Sequence, residues 1–504
     1  MPEATLDPAI HSGLRWAAVR QAVAGVSVTV GVVAYTRYLT PEDLGVATIA
    51  LLVYNGLVLL VEVPIRDALI YYREGQAEYG TAAFWLLMAF SGAAAVLVLL
   101  LAGLLARAYR TPELAGLVRA LAFAFFFRAL AVVPAALLLK AFRFAIHEGL
   151  ALVADLVLLG GWIVLAALGY GAWSLVLPPV AAGALWAVTA WWAAGFRPGF
   201  RPEGDAVRGI ARFARSLVGS NLIAYLRDSL DQMVVGTLGQ ARVGWYTLGE
   251  KQSAFALITV GMPVARIALP AMAAVRAHLE ELGRTYLDLL RLAATFTTPL
   301  QVGALVLADL GIRFLFGAEW LPAVPVLRAY LVFRLAHSLL PMGDAVVSAL
   351  GRPEIRFRVD LIQMPFYLAG LWFGLRVLGD IAGIAWSLAA VRLAAGLVYL
   401  AVTLRLAGLP LAQAGRALLP SSLAGAGMGL AVYGLYVGGS VSRRLPAGLS
   451  PAVAEGLHLM ALVLAGGACY VALLFVLSPH AFREVLATLW QIVVPARATR
   501  RVRE

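Results

Sequence analysis

The fold is decided by stretches such as TAAFWLLMAFSGAAAVLVLLLAGLLA at residues 81–106, which contains no charged side chain. A helix needs about 20 mostly apolar residues to cross the hydrocarbon core of a bilayer. Such stretches are predicted at 14–36, 44–63, 81–106, 114–139, 147–168, 171–195, 210–236, 242–270, 286–308, 320–349, 355–378, 380–404, 417–439 and 455–477. The chain is therefore predicted to be an all-α polytopic membrane protein with about 14 transmembrane helices.

The composition supports a membrane class and excludes several others. Of 504 residues, 62% are hydrophobic and 13% are charged, and the mean hydropathy is +0.86. Soluble domains carry about 45–50% apolar and about 25% charged residues, so a soluble enzyme, a secreted disulfide scaffold and a disordered protein are excluded. Cys469 is the single cysteine, so we expect no disulfide and no cysteine metal site. No cofactor is expected.

The charges predict an orientation in the membrane. The net charge is +12, and the alternating loops carry 23 basic residues on one side of the predicted spans and nine on the other. Basic loops remain in the cytoplasm, so both termini are predicted to be cytoplasmic, which agrees with an even number of spans. We expect these basic loops to contact anionic membrane lipids and not nucleic acid.

An internal repeat predicts the domain organisation. LTPEDLG at 39–45 is matched 199 residues later by LGQARVG at 238–244, and the same offset carries Pro64 onto Pro263. AWSL at 172–175 recurs at 385–388. We predict six-helix lobes at 1–198 and 199–404, followed at 405–504 by two additional transmembrane helices and a basic tail. Parallel lobes around a central cavity are typical of transporters.

Charged side chains inside spans must face a wet cavity or a partner. In the seventh span, Asn221, Asp228 and Asp231 are predicted to share a helix face, and Arg227 is spaced to pair with Asp231. Both interpretations remain open. Other spans add basic candidates at Arg128, Lys251, Arg328 and Arg334, and ionisable ones at Glu250 and His337. The basic excess suits an anionic ligand such as a pyrophosphate, because arginine binds phosphate bidentately.

Ordered motifs resemble a known family. The stretch DQMVVGTLGQARVGWY at 231–246, preceded by Asn221, resembles the opening of the second half of the oligosaccharide flippases. These are polysaccharide transport proteins of the O-antigen flippase type, in the multidrug/oligosaccharidyl-lipid/polysaccharide flippase superfamily. TPEDLG at 40–45 and LGYGAWSL at 168–175 are similar to two of the family's turns, and Pro263 and Pro270 match its broken eighth helix. The resemblance covers about residues 14–404.

The resemblance implies that the protein moves undecaprenyl-pyrophosphate-linked oligosaccharides across the bacterial inner membrane by alternating access. Such transport serves cell-surface polysaccharide assembly, including lipopolysaccharide, and implies a polysaccharide polymerase and other assembly proteins as partners. Arg15 and Arg20 resemble first-helix arginines of related lipid-precursor flippases, whereas the second span has only Arg66, at its end. Arg20 therefore joins the candidate substrate-binding residues. Candidate coupling or gating residues are Asp228, Asp231, Glu250 and His337, although His337 alone also fits a packing role.

Two other functions remain open at this stage. A multidrug or small-molecule exporter of the same superfamily would be expected to stop at twelve spans and to bind cations through acidic residues. A membrane polysaccharide polymerase or glycosyltransferase would be expected to carry a large extracytoplasmic loop or an acidic metal motif. The sequence contains neither feature, so we predict that the protein is not an enzyme.

Overall fold

The computed structural model describes Trp16, Arg20 and residues 31–72, 76–352, 354–439 and 450–479. Its α-helices are α1 (Pro41–Leu57), α2 (Val63–Tyr71), α3 (Gln76–Ala108), α4 (Glu113–Lys140), α5 (Phe144–Ala167), α6 (Trp173–Ala194), α7 (Gly204–Gly236), α8 (Gln240–Ser253), α9 (Met262–Val275), α10 (Leu279–Val306), α11 (Ala308–Phe316), α12 (Val324–His337), α13 (Leu340–Ala349), α14 (Glu354–Phe373), α15 (Ile381–Leu406), α16 (Leu411–Val437) and α17 (Pro451–Leu477). Three π-helical segments are π1 (Val58–Glu62), π2 (Leu257–Gly261) and π3 (Gly374–Leu378), and Ala318–Ala323 is a 3₁₀-helix. These described residues contain no strand, so the all-α prediction is confirmed.

Twelve helical stretches in the described ranges are long and apolar enough to cross a membrane. They are Pro41–Tyr71, Glu78–Ala108, Glu113–Lys140, Phe144–Ala167, Trp173–Ala194, Gln240–Val275, Leu279–Val306, Ala318–Ala349, Glu354–Leu378, Ile381–Leu406, Leu411–Val437 and Val453–Leu477. The predicted span at 210–236 forms α7, which is too polar to be counted among them. The predicted span at 14–36 lies mostly outside the described residues. The polytopic fold is confirmed, and the number fourteen stays a prediction.

The chain divides into two compact units, Met1–Thr247 and Leu248–Glu504. The lobe boundaries at 198 and 404 stay a prediction. In the first unit, α4 is the central helix and packs against α1, α3 and α6. Its side chains are buried on several sides, including Leu117, Leu121 and Phe125. A helix that is apolar all round suits this central position.

The start of α1 is fixed by local hydrogen bonds. The Thr40 hydroxyl accepts a hydrogen bond from the Asp43 backbone N–H at 3.2 Å, and the Asp43 carboxylate accepts one from the Thr40 backbone N–H at 3.0 Å. This capping box satisfies two donors that the helix itself leaves without partners. Pro41 follows at the first helical position, where its missing N–H is tolerated.

Two glycines allow α1 and α8 to touch backbone to backbone within the first unit. A Cβ atom on Gly45 would lie 1.8 Å from the Gln240 carbonyl oxygen, and one on Gly244 would lie 2.0 Å from the Pro41 carbonyl oxygen. Gly45 and Gly244 are 199 residues apart, as are Pro41 and Gln240. The two contacts are therefore reciprocal and follow the repeat seen in the sequence. We call this contact the glycine crossing.

The π-helical segments also follow this offset. Val58–Glu62 and Leu257–Gly261 are 199 residues apart, and each is followed by a proline, Pro64 or Pro263. Proline has no N–H for the helical ladder, and an interrupted ladder favours a widened turn. The AWSL match is different, because Trp173 begins α6 whereas Trp386 lies in the second turn of α15.

In the second unit, α10, α13 and α15 enclose a buried core that includes Tyr286, Leu290, Met342 and Val346. Helices α16 and α17 pack against α10 and against each other. The Tyr470 hydroxyl of α17 donates a hydrogen bond of 2.8 Å to the Thr295 carbonyl of α10. The predicted C-terminal pair is thus an integral part of this unit.

Candidate functional site

The predicted site residues fall into two groups, one in each unit. The first unit holds Arg20, Arg128, Asn221, Arg227, Asp228 and Asp231, and the second holds Glu250, Lys251, Arg328, Arg334 and His337. Each group has its own hydrogen-bond partners. A single cavity lined by both groups stays a prediction.

Arg128 of α4 forms an ion pair with Glu62, the last residue of π1. Its Nε donates to Glu62 Oε2 at 2.7 Å, and its Nη2 donates to Oε1 at 3.3 Å. The Glu62 side chain is 5% exposed, while that of Arg128 is 43% exposed. The pair neutralises a buried carboxylate and leaves part of the guanidinium accessible.

Asn221 of α7 binds the same π-helical segment. Its Nδ2 donates to the Leu59 carbonyl at 3.0 Å. One turn further along α7, the Tyr225 hydroxyl donates to the Leu52 carbonyl of α1. These contacts attach α7 to the helix interrupted by π1. Asn221 therefore has a positioning role that the sequence did not indicate.

The two acidic residues of α7 lie in different environments, and the face that they are predicted to share with Asn221 stays a prediction. Asp228 is exposed and pairs with the adjacent Arg227, at 2.9 Å from Nε. Asp231 is fully buried and accepts hydrogen bonds from the Gln232 backbone N–H at 2.9 Å and from the Tyr246 hydroxyl at 3.0 Å. Three residues turn a helix by about 300°, a net offset of about 60°, so the two side chains can point to the same side of α7 and still differ in burial.

Arg20 is bound by two carboxylates of α5. Its Nε lies 2.8 Å from Asp155 and its Nη1 lies 3.2 Å from Glu148. His147 Nδ1 lies 3.1 Å from the other Glu148 oxygen. The Arg20 side chain is about one third exposed. An anionic ligand would have to displace these carboxylates from the guanidinium group or share the guanidinium group with them.

In the second unit, Arg328 and Arg334 of α12 have different partners. Arg328 pairs with Asp309 of α11 through Nη2, and its Nε donates to the Leu305 carbonyl at 3.4 Å. Arg334 is nearly buried, and its Nε donates to the Ser253 hydroxyl at 2.7 Å. These contacts fix both guanidinium groups in orientation.

The remaining candidates lie on α8 and at the end of α12. Lys251 is exposed and lies next to Glu250, with which it interacts electrostatically. The His337 ring packs edge-on against Phe333, with ring centroids 5.1 Å apart. A packing role for His337 is visible directly, and its coupling role stays a prediction.

Another arginine of the second unit lies among aromatic rings. The Arg392 guanidinium carbon is 5.3 Å from the ring centroid of Tyr367, 5.6 Å from that of Tyr330 and 5.8 Å from that of Phe333. Such contacts stabilise a cation away from bulk water. Arg392 lies inside the predicted span 380–404, and the sequence alone does not indicate these aromatic neighbours, because they come from α12 and α14.

A mixed charge network joins α13, α14 and α15. Arg356 lies 3.4 Å from Asp344 and 3.3 Å from Asp360, and its guanidinium covers the Tyr399 ring at 4.8 Å. The Tyr399 hydroxyl donates to Asp344 at 2.6 Å. Only the i,i+4 spacing of Arg356 and Asp360 could have indicated this network.

Four candidate arginines, Arg20, Arg128, Arg227 and Arg328, therefore have carboxylate partners within their own unit. Neighbouring carboxylates thus balance part of the positive charge of these four guanidinium groups. Within the described ranges, no group of three or more His, Cys, Asp or Glu side chains could hold a metal ion. An oxyanion could bind these guanidinium groups if its oxygens replaced those of the carboxylate partners.

Comparisons with known proteins agree with the motifs. Residues 34–325 match the sequence profile of the family described as "Polysaccharide biosynthesis protein". The chain is 22% identical over 382 residues to the lipopolysaccharide biosynthesis protein WzxC of Escherichia coli, covering 73% of this chain and 76% of that protein. It is 24% identical over 302 residues to the succinoglycan biosynthesis transport protein ExoT of Rhizobium meliloti, covering 60% of each.

Solved structures share the fold. The lipid II flippase MurJ in an inward closed conformation superposes with a TM-score of 0.73 at 14% identity, covering 93% of this chain and 99% of that one. An inward-facing multidrug resistance transporter of the MATE family superposes with a TM-score of 0.60 at 15% identity, covering 78% of this chain and 98% of that one. The family resemblance predicted from the motifs is confirmed.

Proposed function

Because the chain belongs to the polysaccharide biosynthesis protein family, we propose that it is a flippase for lipid-linked oligosaccharides. The observation that carries this proposal is the match of residues 34–325, 292 residues in all, to the family profile. The matched region belongs to a polytopic helical protein that has charged side chains within its apolar spans. Charges in such positions mark substrate or ion pathways. The fold shared with the lipid II flippase is consistent with this function.

The substrate is proposed to be an undecaprenyl-pyrophosphate-linked oligosaccharide. Its pyrophosphate would contact arginine side chains, and Arg128 and Arg334 are candidates for this contact. Arg128 is partly accessible beside Glu62, and Arg334 is fixed by Ser253. Arg20, Asn221, Arg227, Lys251 and Arg328 complete the proposed substrate-binding set. The lipid tail would remain in the bilayer while the head group crosses.

Transport is proposed to follow alternating access in the bacterial inner membrane, with both termini in the cytoplasm. Coupling or gating is assigned to Asp228, Asp231, Glu250 and His337. Of these, Asp231 is buried with two hydrogen-bond donors and Asp228 is exposed beside Arg227. A polysaccharide polymerase and other assembly proteins are the proposed protein partners.

The test is translocation by the purified protein in liposomes. Undecaprenyl-pyrophosphate-linked sugar is placed in both leaflets, and an added membrane-impermeant glycosidase converts only molecules in the outer leaflet. We expect the wild-type protein to make the inner-leaflet pool convertible, and protein-free liposomes to protect it. Protection of that pool in the presence of folded protein would contradict the proposed function.

A multidrug exporter is the second candidate. It is favoured by the pairing of Arg128 and Arg328 with Glu62 and Asp309, because these carboxylates offset the positive charge that would attract an anion. Cells that express the protein would then extrude cationic dyes. Retention of the dyes together with glycosidase conversion would favour the flippase.

A further inference from the structure

Helix α7 differs from every other long helix in the described part of the chain. It extends over 33 residues, Gly204–Gly236, but is absent from the apolar spans. At 1.5 Å per residue it is about 50 Å long, whereas the hydrocarbon core is about 30 Å thick. Part of α7 must therefore lie outside the hydrocarbon. The predicted orientation places its N-terminal part at the cytoplasmic head groups.

This N-terminal part of α7 has one buried and one exposed face. Ala206 and Ile210 are buried in a core cluster with side chains of α2, α3 and α4. On the exposed face lie Arg208, Arg212 and Arg215, at i, i+4 and i+7. Residues with this spacing lie one above the other on a helix. We call these three residues the arginine ladder.

The ladder is less neutralised than the deeper arginines. Arg208 pairs with Asp205 at 2.7 Å, but both side chains are highly exposed and such a pair contributes little. Arg212 and Arg215 form no ion pair with any residue in the described ranges. No acidic residue occurs between Asp205 and Asp228. The ladder therefore keeps most of its positive charge, whereas the charges of Arg128 and Arg328 are balanced by carboxylates.

We propose that the arginine ladder is a docking site for the diphosphate of the polyprenyl-linked substrate at the cytoplasmic membrane surface. This inference rests on the proposed flippase function. Neighbouring ladder residues have Cβ atoms about 5–6 Å apart, so two guanidinium groups can each bind one phosphate of the same diphosphate. Beyond the ladder, Ser216, Gly219 and Ser220 continue the exposed face with small side chains. The head group would thus bind the ladder before it reaches the deeper residues.

The experiment compares binding of undecaprenyl diphosphate to the full-length protein in phosphatidylcholine nanodiscs. The test variant is Arg212→Gln combined with Arg215→Gln. The matched control is Arg416→Gln, because Arg416 is also exposed on the predicted cytoplasmic side and has no ion-pair partner among the described residues. We expect the double variant to bind about tenfold more weakly and the control within about twofold of wild type. Both variants should retain the wild-type melting temperature, since neither removes a packed side chain.

Phosphatidylglycerol distinguishes the substrate from the ordinary lipid surface. It is added as a competitor at the same number of phosphate charges as the probe. We expect it to displace the probe poorly, because it offers one phosphate and not two. The proposal would be overturned if phosphatidylglycerol displaced the undecaprenyl diphosphate probe as effectively as unlabelled undecaprenyl diphosphate does. Unchanged binding of the probe by the double variant would also overturn it.

Translocation in liposomes separates this inference from the proposed function. In the double variant we expect a higher half-saturating substrate concentration at a similar maximal rate, because the ladder acts before translocation. An unchanged half-saturating concentration in an active double variant would overturn the ladder. Wild-type protein that binds undecaprenyl diphosphate but does not translocate it would contradict the flippase function and leave the docking site intact.

Discussion

The glycine crossing gives the sharpest test of the packing. In Gly45→Ala, the new Cβ would lie 1.8 Å from the Gln240 carbonyl oxygen, where an ordinary contact begins at 3.4 Å. Because the opposing atom is backbone, no side-chain rotation relieves the collision. The helices must separate by roughly 1.5 Å, which removes dispersion contacts along the whole crossing.

We expect Gly45→Ala and Gly244→Ala each to lower the free energy of unfolding by about 3 kcal/mol, the upper part of the usual range for overpacking. The double variant should cost little more than either single variant. One separation of α1 from α8 relieves both collisions, so the two effects are not additive.

The assay is unfolding by sodium dodecyl sulfate in mixed micelles, followed by tryptophan fluorescence. Gly103→Ala in α3 is the control, because its Cβ would meet no atom within 4 Å. This control should be neutral or more stable by about 0.5 kcal/mol, through helix propensity. Wild-type stability in both Gly45→Ala and Gly244→Ala would refute the close backbone contact.

Three further predictions concern charge and orientation. Arg128→Met should destabilise the protein by about 2 kcal/mol, because it leaves the buried Glu62 carboxylate unpaired, and adding Glu62→Gln should restore most of the loss in the same unfolding assay. Asp231→Asn should cost about 1–2 kcal/mol through its two buried hydrogen bonds, whereas Asp228→Asn should change stability by less than about 0.5 kcal/mol; equal effects would contradict the assigned environments. A cysteine replacing Gly204, in a variant that lacks Cys469, should react with an impermeant maleimide only from the cytoplasmic side, and labelling from outside would reverse the predicted topology.

The spans could be predicted because lipid imposes one strong rule, that about 20 residues must be apolar and helical. The predicted span 114–139, for example, differs from α4 by one residue at each end. The offset of 199 could likewise be read from short motifs, and it recurs in the glycine crossing and in π1 and π2. Sequence identity alone was a weaker guide for AWSL, whose copies occupy different turns of their helices.

The pairing of charges could not be predicted, because it depends on which helices are neighbours. Arg128 and Glu62 are 66 residues apart, and Arg20 and Asp155 are 135 apart. Spacing on one helix suggested Arg227 with Asp231, but it indicated neither the contact between the adjacent residues Arg227 and Asp228 nor the burial of Asp231. Local spacing gives candidates, and tertiary packing selects among them.

The packing of α17 against α10 has a consequence for how the protein is made. Tyr470 and Thr295, which hydrogen-bond, are 175 residues apart. At about 5–20 residues per second, a ribosome needs roughly 9 to 35 s to synthesise that interval. During this time the Thr295 face of α10 lacks its permanent neighbour inside the nascent membrane protein. Maturation of the second unit therefore waits for α17, and a ribosome that stalls before completing it would leave a substrate for quality-control proteases.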